Sequence, residues 1–112
     1  MNYVISGKVI KGDGYGKKLG FPTVNLETKD KLPRAGVYAG TASLILEGAL
    51  NTYRAGILIN PTGKTEAHLI GYNGDAYGRE VTLEINRFLR EYKKFNTEEE
   101  LISQIKEDLT KC

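Results

Sequence analysis

Apolar residues in this chain recur at every second position in run after run, and at helical spacing only once, near the C-terminal end. Val81, Leu83 and Ile85 alternate with Thr82, Glu84 and Asn86. A period of two sends neighbouring side chains to opposite faces, so this run reads as a strand with one dry face and one wet face. Val37 to Leu46 is a long β-forming run with Tyr38, Thr41 and Ile45; Glu47-Gly48 breaks it, and Thr52 to Ile59 follows as its hairpin partner. Tyr3 to Ile10 and Thr65 to Ile70 are further short strands, and Asn73-Gly74 and Tyr77-Gly78 mark turns or a loop. After Asn96 the period changes. Thr97 or Asn96 can cap a helix, with Glu100 or Glu99 three residues later as partner. Glu98, Glu99 and Glu100 place negative charge in the first turn, where the helix dipole favours it. Leu101, Ile102, Ile105 and Leu109 make one apolar stripe, with Lys111 in the last turn, so residues 97–111 are expected to form an amphipathic helix. Short strands followed by a single helix predict an antiparallel barrel with a helix packed on it rather than alternating βαβ units.

The 112 residues suit a single domain spanning 1–112 with one modest core. The net charge of +2 is too small for a nucleic-acid footprint and compatible with an anionic small ligand. Cys112 is the only cysteine, which excludes an internal disulfide and a cysteine zinc site and fits a cytoplasmic protein with a solvent-exposed thiol. No apolar run approaches the roughly 18 residues of a membrane span, and the N-terminus lacks the layout of a secretion signal. Neither a nucleic acid nor a membrane is expected as partner.

The stretch richest in chemistry is Gly12-Asp13-Gly14-Tyr15-Gly16-Lys17-Lys18-Leu19-Gly20-Phe21-Pro22-Thr23-Val24-Asn25. Glycines let backbone N–H groups approach a phosphate, and two lysines add charge. The spacing is not a Walker loop, and the Pro22 exit does not open a Rossmann helix. Pro22 instead pushes Phe21 into an extended conformation. Thr23 and Asn25 then share one strand face, while Val24 and Leu26 point to the core. A hydroxyl and an amide carbonyl beside a glycine and lysine loop can hold a hard cation and its phosphates, although a plain glycine-rich turn before a half-exposed strand explains the same residues.

Glu66 stands in Thr65-Glu66-Ala67-His68-Leu69, sharing the outer face with His68. A carboxylate in a cleft can take a proton from an attacking hydroxyl; a solvated strand carboxylate is the alternative. His68 is the only histidine, which excludes a multi-histidine metal site. Tyr15 and Tyr77 fall in loops from which either can lean on an aromatic ligand; packing at a strand end is the alternative, and the more common role. Arg90 and Lys93 are weaker candidates, since most such charges solvate a face.

Together these motifs resemble the ATP-dependent riboflavin kinase (flavokinase) family. The glycine-rich opening through Phe21-Pro22-Thr23-Val24-Asn25 is followed in family order by Leu32-Pro33 with Gly36-Val37-Tyr38-Ala39, then Glu66-Ala67-His68-Leu69, Asp75-Ala76-Tyr77-Gly78, Leu89-Arg90-Glu91, Lys94-Phe95 and the terminal Glu99-Glu100-Leu101 to Gln104-Ile105-Lys106-Glu107-Asp108. The likeness runs from about residue 5 to residue 109. Val24 departs from it where Ala is commoner, and Gly56 to Gly63 is shorter than the usual connection. The resemblance is also to the kinase part of bacterial bifunctional FAD synthetases. It implies a mainly β fold, a six-stranded antiparallel Greek-key barrel with a C-terminal α-helix. It implies transfer of the γ-phosphoryl of ATP to the ribityl 5′-hydroxyl of riboflavin, giving FMN and ADP. By position in the motifs, Glu66 would be the general base, and Thr23 and Asn25 would hold Mg²⁺ and the phosphates. Gly12 and Lys17 would lie over ADP, Leu69 and Tyr77 near the nucleotide, and Arg90 and Lys93 on the flavin side. The expected state is a monomer, and the glycine content of Gly12 to Lys18 and Gly71 to Tyr77 makes these two segments candidate lids. A non-catalytic flavin-binding module and a barrel for single-stranded nucleic acid are competing readings; low net charge and the lack of a basic stripe with interleaved aromatics disfavour the second.

Overall fold

The computed structural model describes residues 3–12, 14–72, 74 and 76–112, apart from the side chain of Tyr15. Asn73 of the expected Asn73-Gly74 turn, Asp13 and Asp75 of the family motifs, and the Tyr15 ring that could lean on an aromatic ligand lie outside what is described.

The elements in chain order are β1 (Tyr3–Ile10), a single turn α1 (Tyr15–Lys18), β2 (Val24–Glu27), β3 (Gly36–Leu46), β4 (Ala49–Ile59), β5 (Thr65–Leu69), β6 (Glu80–Arg90) and α2 (Glu98–Thr110). The strands close into an antiparallel barrel in the order β1-β2-β5-β4-β3-β6. Strands β3, β4 and β5 follow one another by hairpins and β6 returns beside β3, which is the Greek-key arrangement. Two register shifts against β6, between Val37 and Tyr38 and between Ala39 and Gly40, bend β3 where the barrel must curve.

The alternation read from sequence becomes inside and outside. Ile5, Leu26, Ile57, Leu69, Leu83 and Ile85 belong to one buried cluster. Tyr38 joins them with its ring edge-on to Phe88, and its hydroxyl donates to the Arg34 carbonyl at 2.6 Å. Burial pushes the Tyr38 phenol above its ordinary value, against a smaller pull from the Arg34 guanidinium. The stability tied to the neutral phenol is therefore present below its unfolded value of about 10 and lost as pH rises through the raised one. Melting temperature measured against pH is expected to fall more steeply above pH ~10 in the wild type than in Tyr38→Phe.

The connection from β4 to β5 is a tight turn. Asn60 N–H donates to the Lys64 carbonyl at 2.8 Å, Gly63 N–H donates to the Asn60 carbonyl at 2.8 Å, and Asn60 Oδ1 accepts from the Thr62 amide. This turn sets the pairing Ile59 with Thr65 and Leu58 with Glu66. A slip of one residue would turn Glu66 into the barrel, so the short connection fixes its outward face.

Helix α2 begins as the capping signals indicate: Thr97 Oγ1 accepts from Glu100 N–H at 3.2 Å. Its packing differs from the sequence expectation. Leu101, Ile102, Ile105 and Leu109 are only half-buried, and the buried residue of the helix is Asp108. The helix rests on the outer face of β4 rather than entering the core. Gly56 permits the approach, because a Cβ there would sit 3.1 Å from Leu109 Cδ2. Arg54 donates to the Cys112 carbonyl at 3.3 Å, and Arg87 donates to the Lys111 carbonyl, so cations meet the negative end of the helix dipole. Cys112 is not the exposed thiol expected: it is half-covered, its Sγ donates to the Asp108 carbonyl, and burial pushes its thiol up.

Candidate active site

A cleft of about 420 Å³ opens where the segment after β1, the start of β2 and the segment after β5 converge. Gly12, Lys17, Thr23, Asn25, Leu69 and Tyr77, the residues expected around the nucleotide, all line it. Lys17 and Tyr77 are exposed at its rim, whereas Leu69 and Asn25 are buried in its floor. The loop that forms one wall is internally bonded. Phe21 N–H and Leu19 N–H both donate to the Gly16 carbonyl, at 2.8 and 3.1 Å, which folds the glycine and lysine stretch back on itself before Pro22.

The outer face of β2 carries the polar pair. Pairing of Asn25 with Ile10 on one side and Glu66 on the other places Thr23, Asn25 and Glu66 on that face. Thr23 Oγ1 donates to Glu66 Oε1 at 3.0 Å. Glu66 is not among the cleft's lining residues; Thr23 connects its carboxylate to the cleft. His68, next along the same face, bonds through Nδ1 to the Pro22 carbonyl at 2.7 Å and meets the Phe21 ring edge-on. That contact pins the backbone turn immediately before Thr23.

Asn25 is 8% exposed although it points outward, because Gly12 lies directly over its amide. Any side chain at position 12 would collide with that amide. Asn25 Oδ1 has no hydrogen-bond partner among the described residues. A buried acceptor left without a donor costs free energy unless something positive meets it. Thr23 has given its one hydroxyl proton to Glu66 and keeps lone pairs for a cation. Two neutral oxygens on one face, one of them unsatisfied, fit a hard divalent ion that draws its remaining ligands from phosphates and water. Among the described residues no cluster of three or more His, Cys, Asp or Glu offers an alternative metal site.

Gly12→Ala is the direct test of this packing. It is expected to displace the Asn25 amide, cost about 1–3 kcal/mol of stability by overpacking, and weaken Mg·ATP binding. A thermal melt and a calorimetric titration read the two effects separately.

The two candidates expected on the flavin side, Arg90 and Lys93, do not line this cleft. Lys93 lines a second, open cleft of about 590 Å³ between residues 93–96 and the first turns of α2. Arg90, the last residue of β6, does not line it; its guanidinium pairs with Asp108 at 2.9 Å. Asp108 was not foreseen as the partner of Arg90, nor Gln104 as a second donor to Asp108. The available signal was that Asp108 stands seven residues after Leu101, on the helix's apolar stripe, where a carboxylate needs a cation opposite.

The whole chain, residues 1–112, matches the family model described as riboflavin kinase. The chain belongs to the riboflavin kinase family. It is 35% identical over 113 residues to a Bacillus subtilis (strain 168) protein named RNA-binding riboflavin kinase RibR, covering 96% of this chain and 48% of that protein. It is 32% identical over 114 residues to a bifunctional riboflavin kinase/FMN adenylyltransferase of Listeria monocytogenes serovar 1/2a, covering 95% of this chain and 36% of that protein. The chain thus spans half or less of the length of these relatives. The crystal structure of riboflavin kinase from Trypanosoma brucei superposes with a TM-score of 0.73 at 21% identity, over 97% of this chain and 73% of that one, which is a likeness of fold. Among the described residues no helix is long and apolar enough to cross a membrane.

Proposed function

We propose that this chain transfers the γ-phosphoryl group of Mg·ATP to the ribityl 5′-hydroxyl of riboflavin, giving FMN and ADP. The observation that carries the reading is the bond from Thr23 Oγ1 to Glu66 Oε1, which couples a carboxylate to a cleft already provided with a buried, unsatisfied Asn25 carbonyl.

Phosphoryl transfer needs positioning and charge neutralisation more than covalent help from the protein. Lys17 at the rim supplies positive charge toward the phosphates, and Gly12, packed on the Asn25 amide, holds that side chain in place. Thr23 Oγ1 and Asn25 Oδ1 are the oxygens that would hold Mg²⁺. When bound, the ion offsets negative charge on the phosphate oxygens. Thr23 orients the Glu66 carboxylate by donating to one oxygen. Glu66 then accepts the proton of the 5′-hydroxyl as the alcohol oxygen attacks phosphorus and the bond to ADP breaks. The acceptor would approach from the side of α2, because β4, which the helix covers, pairs Leu58 with Glu66 and Gly56 with His68. On this reading the second cleft, with Lys93 at its wall, would take the flavin.

Incubation with riboflavin, ATP and Mg²⁺, followed by chromatography of the flavin products, tests the reading. Stoichiometric FMN and ADP are expected, and chelation of the metal is expected to stop their formation. Flavin or nucleotide binding without turnover would instead identify a binding module that kept the barrel.

A further inference from the structure

The one buried residue of α2 is a carboxylate, and the mechanism above does not use it. Asp108 is 6% exposed. Arg90 Nε donates to both of its oxygens at 3.1 Å, and Nη2 donates to Oδ2 at 2.9 Å. Gln104 Nε2 donates to Oδ1 at 2.9 Å from one turn earlier on the same helix. A half-buried surface helix does not need a charge beneath it for stability; an apolar residue at this stripe position would serve as well or better. A bidentate, fully donated carboxylate contributes a fixed geometry instead.

The guanidinium that holds Asp108 has two further ties and a fixed root. Arg90 is the last residue of β6, its Nη1 donates to the Glu91 carbonyl at 3.1 Å, and its Cζ lies 5.6 Å from the Phe95 ring centre. One side chain thus joins the barrel, the backbone leaving it, Phe95 and the helix. Phe95 and Gln104 are on the two walls of the second cleft. We infer that the Arg90–Asp108–Gln104 network is the positioning device that sets the separation of those walls, and that Asp108 is thereby a positioning residue for the flavin acceptor. Arg90 acts through Asp108 and Phe95, not as a ligand. The inference rests on the reading that the second cleft takes riboflavin.

The test compares the wild type with Asp108→Asn, which keeps volume and removes charge, and with Arg90→Lys, which keeps charge and removes the fork. Riboflavin affinity is measured by quenching of flavin fluorescence, and steady-state kinetics are run with each substrate varied in turn. Misplacing a cleft wall by about an ångström is expected to raise the Kd and KM for riboflavin by about tenfold in both variants, with KM for Mg·ATP within about twofold. An unchanged riboflavin Kd in a folded variant overturns the inference. So does an equal rise in both KM values, which general loosening of the barrel would produce, and so does loss of the fold in both variants, which would leave the network a structural anchor. Wild-type protein that binds riboflavin but forms no FMN overturns the kinase reading alone, and the Kd comparison still decides the positional one. Wild-type protein that does not bind riboflavin overturns both.

Discussion

Glu66→Gln is expected to lower kcat for FMN formation at least tenfold, within a general-base contribution of about 10²–10⁴-fold, while leaving the fold intact. Such a contribution corresponds to about 3–5 kcal/mol of barrier. The amide has nearly the volume of the carboxylate, and its carbonyl still accepts from Thr23, so the surrounding contacts survive. Only the capacity to take a proton is removed. Because Glu66 lies outside the lining of the cleft proposed for the nucleotide, Mg·ATP affinity should change little. A variant with near-full turnover would take Glu66 out of the role.

Thr23→Ala is expected to abolish metal-supported ATP binding and to lower turnover as well. The hydroxyl has two duties that one substitution removes together: its lone pairs face the cleft, and its proton is donated to Glu66 at 3.0 Å. Loss of a single hydrogen bond to a carboxylate is worth about 1.5–3 kcal/mol, so complete loss of ATP binding has to come from the cation. Calorimetry with ATP in the presence and absence of Mg²⁺ separates the two. Thr23→Ser, which retains the oxygen, should recover most of the affinity. An unchanged Mg·ATP titration for Thr23→Ala would contradict the assignment of the ion to this face.

These two residues were legible before the fold was known because strand periodicity is local. Once Pro22 forces an extended exit, Thr23 and Asn25 must share a face. Once Ala67 and Leu69 are taken as core, Glu66 must point away from it. The capping of α2 by Thr97 was legible for the same reason, since the cap and its acceptor are three residues apart. The limits of β4 were not: the strand starts at Ala49, earlier than the expected Thr52, because its pairing with β3 continues to the end of the hairpin. The single turn α1 was also missed, since Gly16 is a poor helix former and its neighbours carry no apolar period.

Asn25 shows where local reasoning stops. Its strand face was readable, yet an outward polar side chain would ordinarily be wet, and its burial depends on Gly12 closing over it from thirteen residues earlier. Arg90 shows the same limit from the other side. Read alone, it is a cation near a ligand motif; in the fold its guanidinium is engaged by Asp108, eighteen residues away on a different element. The half-buried stripe of α2 follows from the surface on which the helix lands, the outer face of β4.

By itself, the amino-acid order determined the strands, which face of each is dry, the start of the terminal helix and the family to which the motifs point. All of these depend on spacings of a few residues, where backbone geometry leaves little choice. Only the tertiary structure decided which polar groups are satisfied and which are left waiting. Those outcomes depend on how separate elements come to rest against one another, and no short-range rule carries that information.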